Sequence, residues 1–254
     1  MDDEPVATEV EDYDAAHEAL DGSPLMRSLW AEAMGEEYPA EVEPFSSCSW
    51  WLLGHIVAAL RLPPDGRLVD LGCGGGGPGL WIARACSARL IGIDFSPVAV
   101  RIAARRATRF VVAGRAEFRC ATVDRTGLPD SSVDAVMSVD ALPFATDRPA
   151  ALREVRRILV PGGRLAATVR TRDGDGPRDW PAMATGAGFA VEASLPIPGR
   201  DEFWQRLYRL WFAHEPELRV QLGDRVADNL LREARPAVAR TDEPPRAVLL
   251  VLRR

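Results

Sequence analysis

The sequence predicts one α/β domain with helices on both faces of a seven-stranded, mostly parallel β-sheet. Short apolar runs bounded by turn residues alternate with helix-length stretches over most of the chain, which is typical of parallel βαβ units. The chain has 254 residues, of which 47% are hydrophobic, enough for one large core. The predicted strands are residues 67–71, 89–93, 117–123, 135–139, 164–169, 189–195 and 246–252.

Helical segments precede the sheet and interrupt it near its end. Residues 1–48 form an N-terminal extension or cap, with an acidic start, a possible helix over residues 14–35 and a connector rich in proline and glutamate. Residues 49–60 are typical of an apolar helix that ends before Pro63 and Pro64. Within the main domain, residues 49–254, a helical insertion over about 199–240 lies between the last two strands.

A glycine-rich segment follows the first predicted strand and precedes a helix that starts near Leu80. Gly72, Gly74 and Gly77 satisfy the dinucleotide fingerprint, and Asp94 follows Gly72 at the distance of the acid that binds a ribose hydroxyl. However, the Asp70 carboxylate, two positions before the first glycine, would repel a pyrophosphate. S-adenosylmethionine carries an ammonium, a sulfonium and no phosphate, so it suits Asp70 better.

Three segments resemble the class I S-adenosylmethionine-dependent methyltransferase family. Residues 70–74 (Asp-Leu-Gly-Cys-Gly) are similar to its first motif, residues 92–97 to the end of its second strand, and residues 122–129 to a third motif. The resemblance covers roughly residues 50 to 195 and implies a Rossmann-like fold. It also implies that Asp94 binds the two ribose hydroxyls, that Phe95 lines the adenosine site and that Asp124 binds the adenine amino group. The implied cofactor-binding residues are Asp70, Gly72, Cys73, Gly74, Asp94, Phe95, Asp124, Arg125 and Ser138.

Acidic residues follow successive predicted strands. Either Asp94 or Asp124 alone could be an ordinary turn or helix-capping residue. Ligands of open α/β sheets bind beyond the carboxyl ends of the strands, so we expect Asp70, Asp94, Asp124 and Asp140 to converge there. Asp140 would then lie nearest the substrate.

Composition excludes several chemistries and partners. All 31 basic residues are arginine, so a Schiff-base lysine and a Walker lysine are both absent. A net charge of −6 and an acidic start argue against nucleic acid. The four cysteines form no zinc-ligand pattern, which predicts no metal site. No apolar run is long enough to span a membrane, so we expect a cytoplasmic protein, and the Arg- and Ala-rich composition suggests a bacterial source.

The acceptor is expected to be a small, hydrophobic or aromatic metabolite, because Asp140 is followed by Ala141 and Leu142 and not by the Pro-Pro-aromatic sequence of relatives that methylate nucleobases or protein amides. An aromatic stripe in the insertion, formed by Trp204, Tyr208, Trp211 and Phe212, could line its pocket or could simply pack in a core. The predicted catalytic residues are Asp140 and His214, although the sequence does not decide the base. The predicted substrate-binding residues are Tyr13, Trp50, Phe144, Trp204 and Tyr208.

The sequence favours methyl transfer to an O or N atom of this acceptor, with S-adenosylhomocysteine as the second product. One alternative is a methyltransferase-like enzyme that catalyses a non-methylating cyclisation and keeps the cofactor as a scaffold. Two others are a nicotinamide-dependent oxidoreductase, which Asp70 opposes, and a cofactor-binding subunit without catalysis. The oligomeric state does not follow from the sequence.

Overall fold

The computed structural model describes residues 10–172, 174–239 and 245–254, and its centre is a seven-stranded sheet. The strand order is β3-β2-β1-β4-β5-β7-β6, and only β7 runs antiparallel to its neighbours. This confirms the predicted α/β class with a mostly parallel sheet. The strands are β1 Arg67–Leu71, β2 Arg89–Asp94, β3 Ala116–Cys120, β4 Val133–Ser138, β5 Leu159–Thr171, β6 Ala190–Pro196 and β7 Arg246–Arg253.

Helices cover both faces of this sheet. One apolar cluster joins α6 and α7 to one face, and a second joins α3 and α4 to the other. These buried faces fix the position of the sheet edge at which β1, β2 and β4 end. The helices are α1 Val10–Gly22, α2 Pro24–Met34, α3 Trp50–Leu60, α4 Gly77–Ala85, α5 Pro97–Arg106, α6 Arg148–Ile158, α7 Trp180–Gly186, α8 Arg200–Ala213, α9 Glu215–Leu222 and α10 Asp224–Ala239.

The N-terminal segment forms two helices where the sequence predicted one. α1 ends at Gly22 and α2 begins at Pro24. Pro24 has no N–H to continue the hydrogen bonds of α1, but it suits the first turn of a new helix. Ser23 caps that new helix, because its side chain accepts a hydrogen bond of 3.1 Å from the Met26 N–H.

A third apolar cluster joins the N-terminal helices to the insertion, and we call these five helices (α1, α2, α8, α9 and α10) the cap. Trp30 of α2 and Trp211 of α8 are both buried in it, with ring centroids 5.7 Å apart. Tyr208 of α8 is buried there too. Much of the aromatic stripe therefore packs in the interior of the cap, and the predicted division into extension and main domain stays a prediction.

Candidate cofactor and acceptor site

The glycine-rich loop turns sharply from β1 into α4 and is tied to β2. The N–H groups of Gly72 and Cys73 both donate to the carbonyl of Ile93, over 2.8 and 3.0 Å. Gly72 and Gly74 have φ angles of 70° and 50°, in the left-handed region that favours glycine. The loop therefore reaches the end of β2, where Asp94 lies.

Asp70 is buried beside the first turn of α4. A Cβ atom at Gly79 would lie under 3.0 Å from the Asp70 carboxylate, so only glycine fits there. Burial and the nearby charge of Asp94 raise the pKa of Asp70 to about 7, although a hydrogen bond from the Gly79 N–H lowers it. A cationic ligand beside Asp70 would favour its ionised form.

Asp94 holds the loop with both carboxylate oxygens. One oxygen accepts from the Gly74 N–H at 2.8 Å and the other from the Ser96 N–H at 2.9 Å. A carboxylate offers about four acceptor positions, so each oxygen can accept one more hydrogen bond. That remaining capacity suits a pair of neighbouring hydroxyls, as on a ribose. Together with the buried acid at Asp70, the residues present fit S-adenosylmethionine.

Helix α1 lies over this loop. The Tyr13 ring packs edge-on against Phe95, with centroids 4.9 Å apart. The His17 ring lies 3.3 Å from the position that a Cβ atom would take on Gly74. Burial lowers the pKa of His17, although the charges of Asp94 and Asp14 act in the opposite direction. Tyr13, predicted at the acceptor, therefore lies beside the residue predicted to line the adenosine site.

Asp14 fastens α1 to the start of α5. Its carboxylate accepts hydrogen bonds from the Ser96 hydroxyl and from the Val98 N–H at 3.5 Å. Ser96 also caps α5 by accepting from the Ala99 N–H at 3.0 Å. The helix over the site is thus linked to the segment that follows Asp94.

The other predicted cofactor residues lie at neighbouring strand ends. Asp124 is half-buried in a turn closed by a hydrogen bond of 3.1 Å from the Arg125 N–H to the Thr122 carbonyl. Ser138 is buried, and its hydroxyl donates to the Leu71 carbonyl at 2.9 Å, which joins the ends of β4 and β1. Their roles toward a cofactor stay predictions.

Asp140 is held by groups from three parts of the chain. Its carboxylate accepts from the N–H and hydroxyl of Ser47, both at 2.7 Å, from the Thr168 hydroxyl at 2.9 Å and from the Arg200 guanidinium. Burial raises its pKa, but the Arg200 charge and these hydrogen bonds outweigh burial and bring the pKa below its usual range. A carboxylate so stabilised is a weak general base.

His214 lies at the opposite end of α8 from Asp140. Arg200, which contacts Asp140, is the first residue of α8, and His214 follows its last. At about 1.5 Å per residue the two ends are roughly 20 Å apart. The structure thus does not bring the two predicted catalytic residues together.

The predicted acceptor residues occupy different surroundings. Tyr208 is buried, and its hydroxyl donates to the Glu233 carboxylate of α10 at 3.1 Å. Trp204 is half-buried, with its ring centroid 5.4 Å from that of Tyr208. Trp50, at the start of α3, packs against Trp81 of α4.

Phe144 is the most exposed of the predicted acceptor residues. It ends a single turn of 3-10 helix, Leu142–Phe144, shortly after β4, and its exposed fraction is 55%. The Phe144 ring therefore faces solvent in this structure. Its role toward an acceptor stays a prediction.

Comparison with known proteins agrees with this geometry. Residues 69–167 match the family model described as a methyltransferase domain. Together with the methyltransferase relatives below, this match supports assignment of the segment to the class I S-adenosylmethionine-dependent methyltransferases. The matched segment runs from β1 into β5 and includes the glycine loop and Asp94.

The chain is similar to two actinomycete proteins that are named as methyltransferases. The chain is 33% identical over 155 residues to 27-O-demethylrifamycin SV methyltransferase of Amycolatopsis mediterranei strain S699, covering 61% of this chain and 55% of the relative. It is 28% identical over 183 residues to methyltransferase GfsG of Streptomyces halstedii, covering 70% and 63%. The match thus spans less than two thirds of either relative.

A solved structure shows the same fold. The crystal structure of the [4+2]-cyclase SpnF superposes with a TM-score of 0.73 at 23% identity, covering 91% of this chain and 92% of that one. At this identity the likeness concerns the fold alone. It extends beyond the matched family segment, since most of the chain is covered.

Sequence reasoning missed the groups that hold Asp140 and α1. Ser47, Thr168 and Asp14 carry no spacing signal that would have singled them out. Arg200 could have been found, because residues 200, 204 and 208 recur every four positions and therefore share one face of α8.

The described residues contain no cluster of metal-ligating side chains. No group of three His, Cys, Asp or Glu side chains among them could hold a metal ion. Within residues 10–172, 174–239 and 245–254, no helix combines the length and apolarity needed to cross a bilayer.

Proposed function

We propose that this protein binds S-adenosylmethionine and transfers its methyl group to an O or N atom of a small, hydrophobic or aromatic metabolite. The observation that carries the proposal is the pair of carboxylates, Asp70 and Asp94, at the glycine loop. The match of residues 69–167 to a methyltransferase domain supports it.

The chain's own residues would act mainly by positioning. The cofactor supplies an electrophilic methyl group when bound. Asp70 would hold the cationic amino-acid end, Asp94 the ribose hydroxyls, and Phe95 with Tyr13 the adenosine. Methyl transfer from a sulfonium is an in-line displacement, so alignment of the two reactants can supply much of the acceleration.

Trp204 supports a small organic acceptor. It is half-buried against the apolar cluster of the cap, and its ring packs against that of Tyr208. Aromatic walls with few polar groups suit planar metabolites. One matched relative is named as a methyltransferase that acts on 27-O-demethylrifamycin SV.

A second candidate is a non-methylating cyclisation with the cofactor as a scaffold. The hydrogen bonds of Asp140 favour the cyclisation, since both of its carboxylate oxygens already accept hydrogen bonds and the carboxylate is a weak base. A reaction that removes no proton from its substrate would need no stronger base at this position.

The first test is calorimetric binding of S-adenosylmethionine and S-adenosylhomocysteine to the wild type and to Asp94→Ala. Two hydrogen bonds to a charged group are worth about 3 kcal/mol or more, so the variant should bind at least about 100-fold more weakly. Asp130→Ala is the control, because Asp130 is exposed and pairs with Arg157 at a surface. Failure of the wild type to bind either ligand would contradict the proposal.

The second test separates the two candidate reactions. Wild-type protein is incubated with methyl-labelled cofactor and a panel of phenols, amines and macrocyclic alcohols. Label in the acceptor together with S-adenosylhomocysteine supports methyl transfer. An altered organic substrate with unconsumed cofactor supports cyclisation instead.

A further inference from the structure

The Arg200 side chain is fixed at the start of α8. Its Nε donates to the Ser47 hydroxyl at 2.8 Å, and its Nη2 donates to the Asp140 carboxylate. Only 9% of the side chain is exposed. A guanidinium held by two such contacts has little freedom to change its direction.

The third nitrogen of this guanidinium has no hydrogen-bond partner among the described residues. Nη1 of Arg200 is buried and makes no hydrogen bond in the described structure. Leaving a buried charged donor unsatisfied is costly, so native proteins rarely do so without a reason. A ligand oxygen at Nη1 would remove that cost.

The unpaired nitrogen belongs to a group beside the first glycine of the loop. The turn after Asp140 presses on Gly72, where an added Cβ atom would lie under 3.0 Å from the Cβ of Ala141. Cys48 lies close enough to Asp140 and Asp70 that both charges, after burial, raise its pKa. Arg200 therefore approaches the loop from the β4 side, while Asp70 lies on the β1 side.

The acidic residues at the carboxyl ends of the strands favour a cationic ligand. Asp70 and Asp94 would attract an ammonium or a sulfonium, but they would repel a carboxylate. The amino-acid end of S-adenosylmethionine carries both an ammonium and a carboxylate. A site built from the acids alone would bind one of these groups and oppose the other.

We infer that Arg200 binds the carboxylate of the cofactor's amino-acid end through Nη1, opposite Asp70. The inference rests on the proposed function, because it requires that the cofactor bind at the glycine loop. Asp140 and Ser47 then act as positioning residues that aim the guanidinium. The start of the insertion thereby contributes to cofactor binding as well as to the cap.

The test compares two ligands that differ in the carboxylate alone. S-adenosylhomocysteine has it, and its decarboxylated analogue keeps the ammonium but lacks the carboxylate. By calorimetry the wild type should prefer S-adenosylhomocysteine by about 10- to 100-fold, the range of a charge-assisted hydrogen bond. Arg200→Met should lose this preference and leave affinity for the analogue within about threefold of the wild-type value.

A paired variant guards against misfolding. Asp140→Asn with Arg200→Met removes both charges, so no carboxylate is left buried without its partner. The paired variant should lose the preference for S-adenosylhomocysteine over the analogue. A cooperative thermal transition would show that it is folded. Arg170→Met is the matched control, because Arg170 pairs with Asp201 at the same end of α8 and donates to the Pro245 carbonyl. It should keep the preference.

The outcomes separate this inference from the proposed function. Equal affinity of the wild type for the two ligands would overturn the role of Arg200. So would a paired variant that weakens both ligands equally or neither of them. Absence of any binding by the wild type would instead overturn the proposed function, and the inference with it.

Discussion

Replacing Asp70 by asparagine should separate the charge of this acid from its shape. The side chain is buried, and its pKa is raised from 3.8 to about 7, first by burial and then by Asp94. Three pKa units correspond to about 4 kcal/mol. Since the folded state holds the proton more tightly, the free energy of unfolding of the ligand-free protein should fall as pH rises from about 4 to about 7.

Asp70→Asn should abolish that fall. At pH 8 the ligand-free variant should be more stable than the wild type, by at most about 4 kcal/mol. The carbonyl oxygen of asparagine can still accept the Gly79 N–H. Urea unfolding at pH 5, 7 and 8 measures the difference.

The same acid should link cofactor binding to pH. A cationic ligand lowers the pKa of Asp70, so binding near pH 6 should release a proton from it. Wild-type affinity should rise by up to about tenfold between pH 6 and 8 and then level off. Asp70→Asn should bind about 10- to 100-fold more weakly at pH 8. The other titratable groups close to Asp70 are Asp94, Cys48 and Cys73, and His17 lies over the loop.

Calorimetry in buffers of different ionisation enthalpy counts the released protons. Asp134→Asn is the matched control: Asp134 accepts the Arg67 N–H at 2.7 Å, next to the start of β1 and away from the loop. The reasoning is refuted if wild-type affinity is the same at pH 6 and 8 without proton release. It is equally refuted if Asp70→Asn keeps the wild-type pH dependence.

Three further changes test packing around the site. Gly79→Ala places a Cβ atom under 3.0 Å from Asp70, so it should destabilise the fold by about 1–3 kcal/mol in chemical unfolding and weaken cofactor binding in calorimetry. Asp14→Ala removes the acceptor of the Ser96 hydroxyl, so α1 should loosen and S-adenosylhomocysteine should dissociate several-fold faster in stopped-flow measurements. Trp211→Ala empties the core of the cap and should lower the free energy of unfolding by about 3–5 kcal/mol.

Matched controls exist for the first two changes. A Cβ atom at Gly54, in the middle of α3, meets nothing within 4 Å, so Gly54→Ala should be neutral or stabilising. Asp12 lies on α1 but pairs with Arg225 of α10, so Asp12→Ala should leave dissociation nearly unchanged. Equal effects in a variant and its control would contradict the reasoning for that position.

Local patterns predicted the sheet well. Alternating apolar runs and turn residues located all seven strands. Burial explains the apolar runs of the five interior strands, whereas the edge strands β3 and β6 are mostly exposed. The glycine loop and Asp94 were found in the same way, since their spacing follows from one turn between a strand and a helix. The break between α1 and α2 has a signal in the sequence, because serine is a common helix N-cap and proline is common at the first helical position.

Contacts across the chain could not be predicted. Asp140 is held by Ser47, Thr168 and Arg200, which lie 93, 28 and 60 residues away. The periodic patterns of one sequence reveal neighbours within a helix or strand, but they do not reveal such distant pairs. The pairing changes the expected chemistry, since a free candidate base becomes half of an ion pair. The position of His214 follows from the length of α8 once its start is known.

The cap has a consequence for how the protein is made. Ser23 and Gln221, which share a hydrogen bond across it, are 198 residues apart. At about 5–20 residues per second, the ribosome would complete the second half of the cap roughly 10–40 s after the first. During that interval the faces of α1 and α2 that pack against α8, α9 and α10 lack those partners, while β1 to β4 and the glycine loop already exist. The apolar faces that the complete cap buries are therefore exposed on the nascent chain while the ligand-binding edge of the sheet already exists.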